Sequence, residues 1–168
     1  YDHNFIQVQF NETHQYRLLK GDQKMNTSRK TFEIKDRKVI LSTLWIFAVL
    51  NYLYADVIGG KDPEALKQLI TGTVGSLQIN EGFLLGAAIL METSIAMVLL
   101  SRVLKYRANR WANIIVGIIN TAAVSLSLFA TGAMPTLYYM FFAAIEIPCT
   151  LFIVWYAWKW RNPEGQPS

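Results

Sequence analysis

Residues 83–100 read FLLGAAILMETSIAMVLL, and Glu92 is the single formally charged side chain among them. A run of about 18 apolar residues is long enough to cross the roughly 30 Å hydrocarbon layer of a bilayer as a helix. Arg102, Lys105, Arg107 and Arg110 follow with no acid between them, and a basic cluster beside a span marks its cytoplasmic end. This stretch therefore sets the class of the protein, an integral membrane helix protein, and the rest of the chain is read outward from it.

Composition agrees. The 168 residues are 52% hydrophobic and 17% charged, and the mean hydropathy is +0.23 although the first 38 residues are polar. A formal net charge of +4 does not point to nucleic acid, because the basic residues flank apolar runs and do not gather on a polar face with interleaved aromatics. Cys149 is the one cysteine, which excludes an intramolecular disulfide and dithiol chemistry within one chain. His3 and His14 both precede the first span, so paired intramembrane haem ligands are not expected. No Cys/His cluster has metal-ligand spacing, and neither metal nor cofactor is expected.

Residues 1–38 carry eight Lys or Arg against five acids and show no helical or strand periodicity, which predicts a polar tail with little order. They lack the apolar core of a signal peptide. Met25 offers a translation start that would leave residues 1–24 outside the protein; the competing expectation is a disordered soluble tail. The first span covers 39–58, after Lys35, Arg37 and Lys38, and Gly59-Gly60 ends it. Asp62-Pro63 reads as an N-cap with proline at the first helical position, Leu66, Leu69 and Ile70 share a face, and Gly72 is a stop. This predicts a short amphipathic helix on the outer membrane surface, a plain connector or a lid. The second span covers 83–104 and the third 111–130. TGAMPT at 131–136 is a tight turn, the fourth span covers 137–158, and residues 159–168, with Lys159 and Arg161, form a short tail.

The segments before span one, between spans two and three and after span four carry eight, four and two Lys or Arg, against only Lys61 and Lys67 in the other two loops. Both termini are therefore expected on the cytoplasmic side of a cell (inner) membrane. Trp111, Trp155, Trp158 and Trp160 near the inner boundary and Tyr138 and Tyr139 near the outer one are placed as interfacial anchors.

A thirteen-residue spacing separates Lys38 from Asn51, Glu92 from Lys105, Arg107 from Asn120 and Glu146 from Lys159. At 1.5 Å per residue it sets Asn51, Glu92, Asn120 and Glu146 in one layer, roughly 20 Å from the basic anchors. The correspondence suggests a parallel internal repeat, with chance agreement as the alternative. Small or polar neighbours on each helix, among them Ala48, Ala88, Gly117 and Ala143, predict that these faces meet in the interior and that the carboxylates point inward. Two expectations follow with equal weight: a proton- or cation-linked site of Glu92 and Glu146 with Asn51 and Asn120 as partners, or a clamp of neutral Glu and Asn. Pro148 frees the carbonyl of Ala144 beside Glu146. Tyr54 and Asp56 lie nearer the outer mouth and extend a polar path.

Three stretches, IKDRKVILSTLWIFAVLNYLYADV (34–57), METSIAMVLLSRVLKYRANRWANI (91–114) and WYAWKWRNPEG (155–165), resemble a group of small bacterial four-span membrane proteins catalogued as a domain of unknown function. SRVLKYRANRWANI is the most specific part, and the resemblance covers roughly residues 33–164. It implies four membrane helices and transfers no activity. In that family Glu-Ile-Pro is expected where this chain has Glu92-Thr93-Ser94; here it stands at Glu146-Ile147-Pro148.

The expected fold is all-α, a four-helix transmembrane bundle with one short outer amphipathic helix. The leading functional expectation is a small proton- or cation-linked transporter or permeability protein, homo-oligomeric or joined to a partner membrane protein, and the sequence does not decide for an enzymatic role. The alternatives are a non-catalytic membrane subunit that stabilises a partner complex, and a quinone- or lipid-binding membrane protein.

Overall fold

The computed structural model describes residues 3–74, 77–130 and 135–160. In chain order the elements are α1 (His3–Gly59), α2 (Pro63–Thr71), β1 (Thr73–Val74), β2 (Leu77–Gln78), α3 (Glu81–Val103), α4 (Tyr106–Ala130) and α5 (Leu137–Trp158). α1, α3, α4 and α5 are each long and apolar enough to cross a membrane. The chain divides into two compact units, Tyr1–Arg37 and Lys38–Ser168.

The first unit corrects the expectation of a tail with little order, because it is helical from His3 onward. Thr27 and Thr31 donate to carbonyls four residues back, Gln23 at 2.8 Å and Thr27 at 2.9 Å, and Arg37 pairs with Glu33 at 3.5 Å. Its Lys, Arg, Gln and Met residues are good helix formers, and once a turn exists each added residue gains a hydrogen bond for little further ordering. Its described side chains are exposed or half-buried, and a helix that buries no face needs no apolar period for sequence reading to find.

In the second unit α1 ends at Gly59, and α2 starts where Asp62 accepts the Glu64 N–H at 3.1 Å with Pro63 at the first helical position. Gly72 terminates α2 in the left-handed conformation at φ 74°, which a residue with a Cβ rarely adopts. An antiparallel pair of two-residue strands, with Thr73 opposite Gln78 and Val74 opposite Leu77, then leads to α3. Sequence reading did not anticipate this hairpin. The Asn80 side chain caps α3 by accepting the Phe83 N–H at 2.8 Å.

The link between α3 and α4 is only Leu104 and Lys105, because α4 begins at Tyr106 and not at the expected Trp111. Leu104 is extended at ψ 146°, which breaks the helix, and the Asn109 N–H bonds the Lys105 carbonyl at 2.8 Å to open the next. Arg107 and Arg110 consequently sit on the first turns of a helix. The TGAMPT turn lies outside the described residues from 131 to 134.

α4 and α5 share the most extensive interface. Gly117 permits it, since a Cβ there would lie 2.6 Å from Val154 Cγ2. α3 is held differently. Residues 81–89 are exposed on every side, and its buried residues, Ser94, Met97 and Ser101, belong to the second half. The apolar core gathers Leu41, Trp45 and Ala48 of α1, Met97 of α3, Ile114 of α4 and Ile153 and Ala157 of α5.

Candidate functional site

α4 supplies a polar spine. Asn109, Asn113, Gly117 and Asn120 recur at helical spacing along one stripe, and all four are buried. Asn113 is the hub: its oxygen accepts the Trp45 indole N–H at 2.7 Å and the Ser101 hydroxyl at 3.3 Å, and its amide donates to the Asn109 carbonyl at 2.8 Å and side-chain oxygen at 2.6 Å. Asn109 in turn donates to the Ser101 carbonyl at 2.5 Å. One level further along, Ser94 donates to the Asn120 side chain at 2.9 Å, while Asn120 donates to the Val116 carbonyl at 3.0 Å. Ser42 donates to the Val98 carbonyl at 2.7 Å and accepts from Arg102 Nε at 3.0 Å. These groups satisfy one another across α1, α3 and α4, which is the arrangement of a clamp.

Glu146 differs. It is 5% exposed, and its Oε1 is buried with no hydrogen-bond partner among the described residues. The neighbouring hydroxyls are turned elsewhere: Thr150 donates to the Glu146 backbone carbonyl at 3.0 Å, and Thr121 donates to the Thr150 hydroxyl at 2.7 Å. The Tyr52 hydroxyl is the second buried oxygen without a partner, and it lies within electrostatic range of Glu146. A buried oxygen left unmatched in a structure that satisfies its surrounding amides is the feature with chemistry to spare.

The four residues of the expected layer separate. Glu146 and Asn120 are buried, Asn51 is half-buried and Glu92 is exposed. The inward carboxylate pair is therefore corrected to one inward carboxylate. The buried face of α3 is set by Ser94, Met97 and Ser101, and Glu92, two residues before Ser94, is turned roughly 200° away from it. Nor do the asparagines serve the acids: Asn51 donates to the Phe47 carbonyl of its own helix at 2.9 Å, and the Asn120 oxygen is occupied by Ser94. Residues matched by the thirteen-residue spacing thus do not share an environment.

Tyr54 and Asp56 are both exposed, and Asp56 lies within electrostatic range of Glu146. Of the basic anchors, Lys38 donates to the Arg102 carbonyl at 3.4 Å, Arg110 donates to the Trp158 carbonyl at 3.2 Å and lies 5.8 Å from its ring centroid, and Lys159 stands 4.8 Å from the Trp155 ring centroid. Lys105 and Arg107 are exposed, Arg37 belongs to the first unit, and Arg161 lies outside the described residues. Trp160 is buried against Tyr106, ring centroids 5.2 Å apart, with the Tyr106 hydroxyl on its carbonyl at 2.6 Å, so it packs inside the protein where Trp111, Trp155 and Trp158 are exposed. No group of three or more metal-ligating side chains occurs among the described residues.

Sequence reasoning passed over Asn109, Ser94, Ser101, Trp45 and Tyr52. The signal for the first three was neutral: Ser94 and Ser101 stand seven residues apart, and Asn109 and Asn113 four apart, each pair on one helix face. Formal charge drew the reading to Glu92 instead.

No curated protein and no solved structure matches the chain. A family model, described as a family of unknown function (DUF6326), matches residues 29–166, and the chain belongs to that family.

Proposed function

We propose that this is a small multi-pass protein of the cell membrane, both termini cytoplasmic, in which Glu146 binds a proton or small cation as part of transport or permeation. The observation that carries the reading is the buried Oε1 of Glu146, unpartnered among the described residues while the Asn120 amide and the Thr121 and Thr150 hydroxyls are bonded elsewhere. A charged side chain at the centre of a bilayer costs about 3 kcal/mol on insertion scales, and intramembrane acids are kept mainly where they act. The test compares wild type, Glu146→Gln and Glu92→Gln in proteoliposomes, reading proton and cation flux alongside unfolding in detergent. Glu146→Gln should fold and lose flux, and Glu92→Gln should keep it. Absent wild-type flux, or full flux in folded Glu146→Gln, defeats the proposal.

One observation favours a second reading, a membrane subunit that packs against another chain. Glu92 lies on the exposed face of α3, next to a first half whose residues 81–89 are all exposed among the described residues. A carboxyl facing hydrocarbon is relieved by a polar partner on an adjoining helix. Glu92→Leu would then alter the mass of the detergent-solubilised assembly, read by light scattering, and leave flux to Glu146.

A further inference from the structure

Tyr52 and Glu146 lie on helices whose register is fixed by one contact, the Cys149 thiol donating to the Leu44 carbonyl at 3.8 Å. α1 and α5 run in opposite directions there, so Glu146 stands about level with residue 47 of α1. Tyr52 starts higher, but a helical side chain leans back toward the N-terminus of its own helix, which brings the phenol down toward Glu146. Asp56 follows Tyr52 by one turn on the same face and is exposed at the α2 end. Toward the opposite end, where Lys38, Arg102 and Arg110 gather, the interior is closed: Leu41, Trp45 and Ile153 are fully buried, and the spine amides are bonded to each other.

We propose that Glu146 exchanges protons with the α2 side alone, through Tyr52 from Asp56. This rests on the reading of Glu146 as a proton-binding group and names its ligand and its entrance. The transfer is balanced. The Asp56 carboxylic acid gives its proton to the Tyr52 oxygen as the Tyr52 O–H gives its own to the Glu146 carboxylate, with water completing the contacts, so that Asp56 ends ionised, Tyr52 unchanged and Glu146 neutral. The titratable groups that face Glu146 are Tyr52 and Asp56 from α1 and Cys149 from α5 itself. Near Glu146, α4 presents Asn120 and Thr121, both neutral, while its charged Arg110 bonds Trp158 toward the basic end, and the one acid of mid-α3, Glu92, faces away. A single carboxylate with hydroxyl neighbours suits a proton better than a metal ion, which takes several oxygen ligands.

The experiment follows the protonated-carboxyl infrared band that Glu146→Gln removes, in proteoliposomes after a pH jump on one side. Wild type should respond to a jump on the α2 side and at least tenfold more slowly to one on the basic side. Tyr52→Phe and Asp56→Asn should each slow the α2-side response at least tenfold; Asp56 is exposed, so its variant folds and keeps the test decisive if Tyr52→Phe does not. Equal responses from both sides, or wild-type rates in folded Asp56→Asn, overturn the proposal. Flux is measured separately: a sided, Asp56-dependent band without flux retains the entrance and defeats transport, whereas flux with Asp56→Asn at wild-type rate does the reverse.

Discussion

The Trp45 indole N–H donates to the Asn113 side chain at 2.7 Å and ties α1 to α4 with both side chains fully buried. Away from water such a donor has no substitute partner, and its loss costs more than the net value of the bond. Trp45→Phe leaves Asn113 its Ser101 hydroxyl and should cost about 1 kcal/mol. Asn113→Leu strands Trp45, Ser101 and the Asn109 oxygen together and should cost about 2 kcal/mol or more. Unfolding in a denaturing-detergent titration measures both; equal midpoints for the two variants would contradict the hub role of Asn113.

Gly117 and Gly86 should respond oppositely to a methyl group. Gly117→Ala drives a Cβ to 2.6 Å from Val154 and should destabilise by about 1–3 kcal/mol as α4 and α5 separate. At Gly86 a Cβ meets nothing within 4 Å, so Gly86→Ala should be neutral or gain up to about 1 kcal/mol of helix propensity. The same titration reads the pair.

Asp62 holds the start of α2, and its other oxygen stands 3.4 Å from the Tyr138 hydroxyl. Asp62→Ala should cost about 1 kcal/mol locally. Hydrogen exchange should show faster amides in α2 with α4 and α5 unchanged; faster exchange throughout would mean that the cap supports more than its own helix.

Cys149 is 8% exposed and should resist a bulky maleimide until the protein is denatured, which makes it a silent background for labelling. Lys67→Cys and Lys105→Cys, both at exposed positions, should then react from opposite sides of a sealed vesicle. Labelling of both from one side would refute the proposed orientation.

Much of the helical layout is legible in the chain. Gly59-Gly60, Asp62-Pro63 and Gly72 announce their helix ends through backbone chemistry, and apolar length announces the candidate spans. Direction around a helix is not legible. In residues 83–100 nearly every side is apolar, so no polar face tells interior from exterior, and Glu92 and Ser94 look equally placed until Met97 and Ser101 are seen buried beside Ser94. The helical first unit escaped for the reverse reason, its polar residues carrying no burial pattern.

Gly117 brings α4 and α5 close enough to act as one stiff beam, whereas α3, among the described residues, is buried only along its second half, at Ser94, Ser101 and Met97. Glu146 and Thr150 ride on that beam, joined across it by the Thr121 hydroxyl. A force on the free half of α3 would bend a cantilever whose fulcrum is the Ser94–Asn120 bond, and the acid would stay in place while its surroundings swung.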